Sequence, residues 1–385
     1  MKWKKVEIGQ LGNVITGNTP PRKNPELYGD FIPFIKPTDI EIDRRFTPHP
    51  EECYSELGLE KYRKSLIPKG ATCVVTIGSI GKKITQALTD CFINQAVNAV
   101  IPNENYDADF VFYLLKNNLD KVKGLDSGTS SGRENVSKSS FSSIEVKVVE
   151  HIPTQRRIAS ILSAYDELIE NNLKRIKLLE EKAFLRYKQI VNSDNFSQNA
   201  FNEVADYING YPFTPDDWKD KGLPIIKIKE LKTGVQFDTP RNDGENIPEK
   251  YFIENKDILF AWSASIGAYL WCSGKSILNQ HIFNVKPFDK DLHNWLFFSL
   301  LEKIPEFINL SNGATMQHIK KSALGMVCLP VPPKKVYEKF QKETEPILSL
   351  IVNLNQQNSK LREARDILLP KLMNGQIEVY NFNEN

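Results

Sequence analysis

The sequence predicts an α+β protein: two homologous α/β domains joined by two long antiparallel helices, the copies related by a pseudo-twofold axis. Two observations carry this. Phrases recur in the same order about 185 residues apart, and each copy ends in a stretch with apolar residues at seven-residue spacing. Ile32-Pro33-Phe34-Ile35-Lys36 is answered by Leu223-Pro224-Ile225-Ile226-Lys227, Ser79-Ile80-Gly81 by Ser265-Ile266-Gly267, and Asn94-Gln95 by Asn279-Gln280. Solenoid units run roughly 20 to 50 residues, so this period indicates a duplicated domain with a helix appended to each copy.

The elements follow from local pattern. In the first copy, β-type runs cut by Gly, Pro, Asn or Asp predict strands over 32–35, 72–77, 96–101 and 144–149, with a helix over 108–119. The second copy repeats the order with strands at 225–228, 257–262 and 281–286 and a helix near 293–302. Phe112-Tyr113 recurs as Phe297-Phe298, and Ser127-Gly128-Thr129 as Asn312-Gly313-Ala314.

The first long helix starts at Pro153-Thr154 and carries Leu162, Ile169, Ile176, Ala183 and Ile190 every seven residues, with Tyr165 and Leu179 between. The second begins at about Pro346, a first-turn proline, and carries Ile347, Leu354, Leu361 and Leu368, with Leu350 and Ala364 between; Pro370 ends or kinks it. Asn172 and Gln357 are the one polar break in each seam, and such a residue fixes register between helices. Periodicity alone is equally compatible with each helix covering its own domain's core. The expected division is a first domain over 1–152, a helix over 153–192, a second domain over 193–333, a helix over 334–379 and a tail over 380–385. The 24 residues from Pro346 to Leu369 would span about 36 Å, roughly 10 base pairs of duplex.

Composition removes several classes of function. A chain 41% hydrophobic and 25% charged is an ordinary globular protein. Cys53, Cys73, Cys91, Cys272 and Cys328 are odd in number and form no CxxC pair, which suits reduced thiols in a cytoplasmic setting. No apolar run reaches about 18 residues, so neither export nor a membrane span is expected. Net charge is only +2, with 50 Lys plus Arg against 48 Asp plus Glu, so any nucleic-acid surface has to be local. His49, His151, His281, His293 and His318 have no zinc-site spacing. Gly274-Lys275-Ser276 lacks the earlier glycine of a phosphate loop, Tyr269 standing there. The Pro-Pro pairs, Thr19-Pro20-Pro21-Arg22 and Val331-Pro332-Pro333-Lys334, lack the Asn or Asp before and the aromatic after that would grip an amino group for methylation. No metal or cofactor is expected.

What remains is a set of polar and basic residues on loops beside the strands, in corresponding places of both copies. In the first they are Thr19, Arg22 and Lys23; Lys36 and Thr38; Ser79, Lys82 and Lys83; and Ser130, Ser131, Arg133 and Asn135. In the second they are Tyr211 and Phe213; Lys227 and Lys229; Trp262, Ser263 and Ser265; His281; and Thr315, Gln317, His318, Lys320 and Lys321. Arg and Lys satisfy phosphates or guanine edges, Asn and Gln read adenine, and Ser and Thr serve either purpose, so the inventory suits duplex DNA. Taken singly, each residue is equally a solvated loop side chain, and Trp262 equally a core residue.

Along almost its whole length the chain resembles the specificity subunits of type I restriction-modification systems. The resemblance is carried by Arg365-Asp366-Ile367-Leu368-Leu369-Pro370-Lys371-Leu372-Met373-Asn374-Gly375-Gln376-Ile377, by Leu278-Asn279-Gln280-His281 and by Gly313-Ala314-Thr315-Met316-Gln317-His318-Ile319. The first copy departs from these patterns, with Ala96 where the second has His281. The resemblance implies two target-recognition domains and two spacer helices that bind a bipartite, asymmetric DNA target across an unread spacer. It implies a chain that is not an enzyme itself, on which two methylating subunits dock and restriction subunits join. The alternative is a stand-alone sequence-specific DNA-binding regulator or scaffold.

Overall fold

The structure, a computed structural model, describes residues 2–125, 134–311 and 318–379. The chain divides into two compact units, Met1–Ile169 with Leu361–Asn385 and Glu170–Lys360. Each unit therefore holds one globular part together with stretches of both long helices.

In the first unit an antiparallel sheet orders Gly12–Thr16, Val97–Pro102, Thr72–Val75 and Ile84–Gln86. A second sheet pairs Ile32–Ile35 in parallel with Phe92–Ile93 and antiparallel with Glu52–Tyr54. Trp3–Glu7 closes on Glu145–Val149. The second unit repeats this plan: Ala205–Asn209, Ile282–Pro287, Ile258–Ala261 and Gly267–Leu270 form the antiparallel sheet. Leu223–Ile226 runs parallel to Ser276–Leu278, and Ser197–Ala200 pairs with Cys328–Val331. The strands expected from the sequence are present with ends displaced by up to two residues, but Trp3–Glu7, Gly12–Thr16 and Ile84–Gln86 in the first copy and Ser197–Ala200, Ala205–Asn209, Gly267–Leu270 and Cys328–Val331 in the second were not anticipated.

Side-chain alternation explains why these strands read as continuous apolar runs. In Ile258–Ala261, Ile258 and Phe260 enter one core while Leu259 and Ala261 enter another. In Thr72–Val75, Val74 faces one core, and Cys73 and Val75 face the other. A strand covered on both sides needs apolar residues at every position. The core on one side of this sheet is completed by the helix Ala108–Lys116 in the first unit and His293–Asn309 in the second. Asp107 caps the former by accepting from the Asp109 and Phe110 amides.

The long helices span Ile152–Val191 and Lys334–Met373, 40 residues each, or about 60 Å at the usual rise. The second starts at Lys334, directly after Pro332-Pro333, and not at Pro346, which lies inside it. Pro370 does not end it either: the helix continues to Met373 and stops at Gly375, whose φ of +71° suits the left-handed cap. The 36 Å length expected from Pro346 to Leu369 is thus too short for the helix actually present.

In both units the two helices run antiparallel. In the second, Asn172 meets Asn358 and Arg186 meets Glu343, and Ile176, Ala183 and Tyr187 share a core with Phe340, Leu348, Ile351 and Leu354. In the first, Ile158 and Leu162 share a core with Leu369 and Leu372, while Asp166 meets Arg365. On the first helix Leu162, Ile169, Asn172 and Ile176 are buried, with Tyr165 and Leu179 half-buried beside them. On the second helix the seam needs correction. Gln357 and Leu350 are exposed, Ile347, Leu361 and Leu368 only half-buried, and the buried heptad positions are Ile351, Asn358, Arg365 and Leu372. The polar residue facing Asn172 is therefore Asn358, whose Oδ1 accepts from Asn172 Nδ2 at 3.0 Å.

Arg365 is wholly buried, its Nη1 2.5 Å from Asp166 Oδ1 and its Nε 2.8 Å from Asp366 Oδ1. The other oxygen of Asp166 accepts from the Tyr113 hydroxyl at 2.5 Å. Arg45 lies beside them, paired with Asp109, donating to Gln86 Oε1 at 2.8 Å and lying over the Phe112 and Tyr113 rings. Burial and the Arg365 charge both depress the pKa of neighbouring Lys116.

Two outcomes are expected in urea denaturation. Arg365→Met strands the buried Asp166 carboxylate and should cost about 3–5 kcal/mol. Asn172→Leu alone leaves the Asn358 amide unpaired and should cost about 1–3 kcal/mol, whereas adding Asn358→Leu should recover the loss; a double variant as weak as the single one would show that the pair is not the register device.

Candidate nucleic-acid interface

The same five backbone bonds build the strand-end region of each unit. In the first, Gly17 N donates to Val97 O at 3.1 Å, Asn18 N to Ile93 O at 3.0 Å, Asn94 N to Ile35 O at 3.1 Å, Thr76 N to Ala96 O at 2.8 Å and Val136 N to Thr76 O at 2.9 Å. In the second, Gly210 N donates to Ile282 O at 3.1 Å, Tyr211 N to Leu278 O at 2.7 Å, Asn279 N to Ile226 O at 3.0 Å, Trp262 N to His281 O at 3.5 Å and Ile319 N to Trp262 O at 2.9 Å. Loops far apart in sequence are thereby fixed at one end of the sheets. Gly17 and Gly210 are required at the crossing: a Cβ would lie 2.1 Å from Ile93 O in one and 2.3 Å from Asn279 O in the other. Sequence reasoning missed this pair, although both glycines follow the first strand of the antiparallel sheet in their copies.

On this scaffold the first unit carries polar and paired groups. Thr19 donates to Gln95 Oε1 at 2.5 Å. Arg22 and Lys36 converge on Glu52 at 2.8 and 3.1 Å, Lys36 also reaching Glu51, and Arg22 lies 4.7 Å over the Tyr28 ring. The hydrogen bond from Arg22, opposed by partial burial and helped by Lys36, lowers the pKa of Glu52. Lys83 donates to Pro37 O at 2.6 Å, and burial lowers its pKa. Lys23, Thr38 and Ser79 are exposed. Asn135 forms a backbone bridge with Ile77, beside the Thr76 position. Lys82 departs from the group: it lines a cleft of about 250 Å³ with Asp43, Lys116, Asp366 and Leu369, next to the second long helix. Ser130, Ser131 and Arg133 lie outside the described residues.

The second unit carries rings at the same places. Trp262 is half-buried, its ring centroid 5.4 Å from His281, 5.9 Å from Phe283 and 6.3 Å from His318. Its buried Nε1 has no acceptor. Tyr211 packs against Phe213 at 4.9 Å and Tyr251 at 5.4 Å. Lys227 Nζ lies 4.4 Å over the Trp218 ring, and Lys229 pairs with Asp238 at 2.7 Å. Ser263 is buried and bridged to His318, while Ser265 accepts from Lys232 at 2.8 Å. Lys320 and Lys321 are exposed; Thr315 and Gln317 lie outside the described residues. Trp218, Tyr251 and Lys232 were not anticipated, because each joins the site through a fold contact and none belongs to a recurring phrase.

Among the described residues no helix is long and apolar enough to cross a membrane, and no group of three or more His, Cys, Asp or Glu is placed to hold a metal ion.

Comparison with known proteins places this geometry. The chain is 23% identical to the type I restriction enzyme MjaIX specificity subunit of Methanocaldococcus jannaschii, covering 98% of this chain and 94% of that one. It is 29% identical to the type I restriction enzyme HindI specificity subunit of Haemophilus influenzae over 48% of this chain and 40% of that one. It shares the fold of the type I restriction-modification S subunit from M. genitalium, with a TM-score of 0.54, 15% identity and coverage of 99% and 97%. The family model described as type I restriction modification DNA specificity domain matches residues 1–181 and again 194–364, so the chain belongs to that family, as a specificity subunit with two copies of its domain.

Proposed function

We propose that this chain binds a bipartite, asymmetric DNA target, one half-site on each strand-end surface, and makes or breaks no bond in DNA itself. The observation that carries the reading is the repetition of one backbone cage with different side chains on it: Asn18, Thr76 and Ala96 in one copy where the other has Tyr211, Trp262 and His281. A common scaffold with unlike base-facing groups suits two different short words. The recognition domains are 1–152 and 193–333, with the helices Ile152–Val191 and Lys334–Met373 as the spacer between half-sites.

The cations have different roles. Arg22 and Lys36 are held in fixed positions by Glu52, which suits base edges or a defined phosphate. Exposed Lys23, Lys320 and Lys321 suit sequence-independent phosphate contacts. Trp262, His281 and Phe213 offer apolar and stacking surface. Two methylating subunits supply the chemistry, and restriction subunits join them to cleave; the assembly works in the cytoplasm.

The test is to purify the chain with its methylating subunits and map methylated adenines across a genome. Methylation confined to one split, asymmetric motif is expected, with one half of the motif changing when residues 193–333 are replaced by another recognition domain. Methylation with no motif, despite a stable complex, would overturn the reading. Because the spacer is set by helix length, inserting one heptad into both long helices should lengthen the unread gap; an unchanged gap would refute the ruler.

A further inference from the structure

Phe237 is exposed at 105% of its reference area, and no other large apolar side chain among the described residues exceeds 67%. The ring is not on a slack loop. Residues 236–239 form a closed turn in which Thr239 N donates to Gln236 O at 3.2 Å and Gln236 N to Thr239 Oγ1 at 2.9 Å. The turn is fastened to the short helix Ile228–Thr233, since Asp238 pairs with Lys229 at 2.7 Å and buried Thr239 reaches Glu230 Oε1 at 3.5 Å. That helix is in turn tied to the strand-end surface: it follows Lys227, and its Lys232 donates to Ser265 Oγ at 2.8 Å.

The other copy shows what the ring would do if it were a core residue. Phe46 stands thirteen residues after Pro33, as Phe237 stands thirteen after Pro224. Phe46 is half-buried, its backbone bridged to Gln86 and the Arg45 guanidinium 4.9 Å over its ring. Gln236, which precedes Phe237 as Arg45 precedes Phe46, turns its side chain back to donate to Thr233 O at 2.7 Å. At the same spacing the second copy carries a ring with no such cover, on a turn that holds it in water. Leaving a whole phenyl ring exposed forgoes a large hydrophobic gain, so the favourable state is one in which another molecule covers it.

We propose that Phe237 is a DNA-contacting wedge for the second half-site, stacking on or between its bases. This rests on the reading given under Proposed function and adds to it a residue outside the recurring loops. Lys229, which pairs with Asp238 next to the ring, lies on the helix to which the turn is fastened, and Lys227 and Lys232 lie on the same segment, so the element that holds the ring also carries cations able to reach phosphates. That combination of aromatic ring and cation is how single bases and kinked steps are gripped.

The experiment uses the complex of the full chain with its methylating subunits and a duplex carrying the mapped motif. Phe237→Ala should weaken binding to that duplex by roughly tenfold and leave complex assembly and thermal melting unchanged, since the ring touches no core. Phe237→Trp should restore affinity. A 2-aminopurine placed along the second half-site should brighten with the unaltered complex and not with Phe237→Ala. Equal affinity and equal 2-aminopurine signal for the alanine variant would overturn the inference while leaving the specificity reading intact. Loss of assembly with the methylating subunits would assign the ring to a protein interface and also overturn it. Failure of the unaltered complex to bind the duplex would remove both.

Discussion

The burial of Arg365 is the constraint on which the first unit depends. A guanidinium with no exposure needs charge around it, and it is met by Asp166 on the first long helix and Asp366 on its own, while its Nη2, 3.8 Å from Asp43 Oδ1, has no hydrogen-bond acceptor among the described residues. Through Asp166 it fixes Tyr113 and hence the helix Ala108–Lys116. Arg45 and Asp109 extend the network toward Gln86 on the antiparallel sheet. Such a pair gives little net stability over a well-packed apolar pair. Its effect is geometric: removing either partner leaves the other charge buried and unpaired.

The second unit solves the same packing problem with rings. Tyr113 becomes Phe298, which has no hydroxyl, and the hydroxyl comes from Tyr187 on the long helix, reaching Ser299 at 3.1 Å and Glu302 at 2.8 Å. Around it Trp295, Phe298 and Phe340 pack at centroid separations of 4.8 to 6.3 Å. One ancestral plan is therefore held by charge in one copy and by aromatic contact in the other. The divergence reaches the strand-end surfaces, where Thr76 and Ala96 are replaced by Trp262 and His281 on unchanged backbone bonds. A rigid scaffold with variable loops is how one fold comes to read two different ligands.

That scaffold also explains why a chain with net charge +2 suits a polyanion. Lys36 and Lys227 occupy the same place after the parallel strand, one pinned between two glutamates and the other over an indole ring. Their charges are placed, not accumulated, and the glutamates that place Lys36 cancel in the total.

The sequence by itself determined the duplication, the central strands and helix of each copy, and the buried positions Leu162, Ile169 and Ile176 on the first long helix, because apolar periodicity is a local record of which face is buried; it did not mark the outer strands Gly12–Thr16 and Ala205–Asn209. It also marked the loops that carry Lys36, Ser265 and Asn279, since recurrence within one chain needs no structure to be seen. It did not place the rest of the second helix's seam: Leu354 is buried as its spacing suggested, but Leu350 and Gln357 are exposed and Leu361 and Leu368 half-buried, while Asn358 and Arg365 take the buried positions. Counting apolar residues cannot register a buried arginine whose partner is 199 residues away. Nor could it separate Lys82, turned into a cleft beside the helix, from Lys83, bonded to the neighbouring loop, or bare Phe237 from covered Phe46. Those distinctions depend on which distant side chain arrives opposite, and only the folded chain decides that.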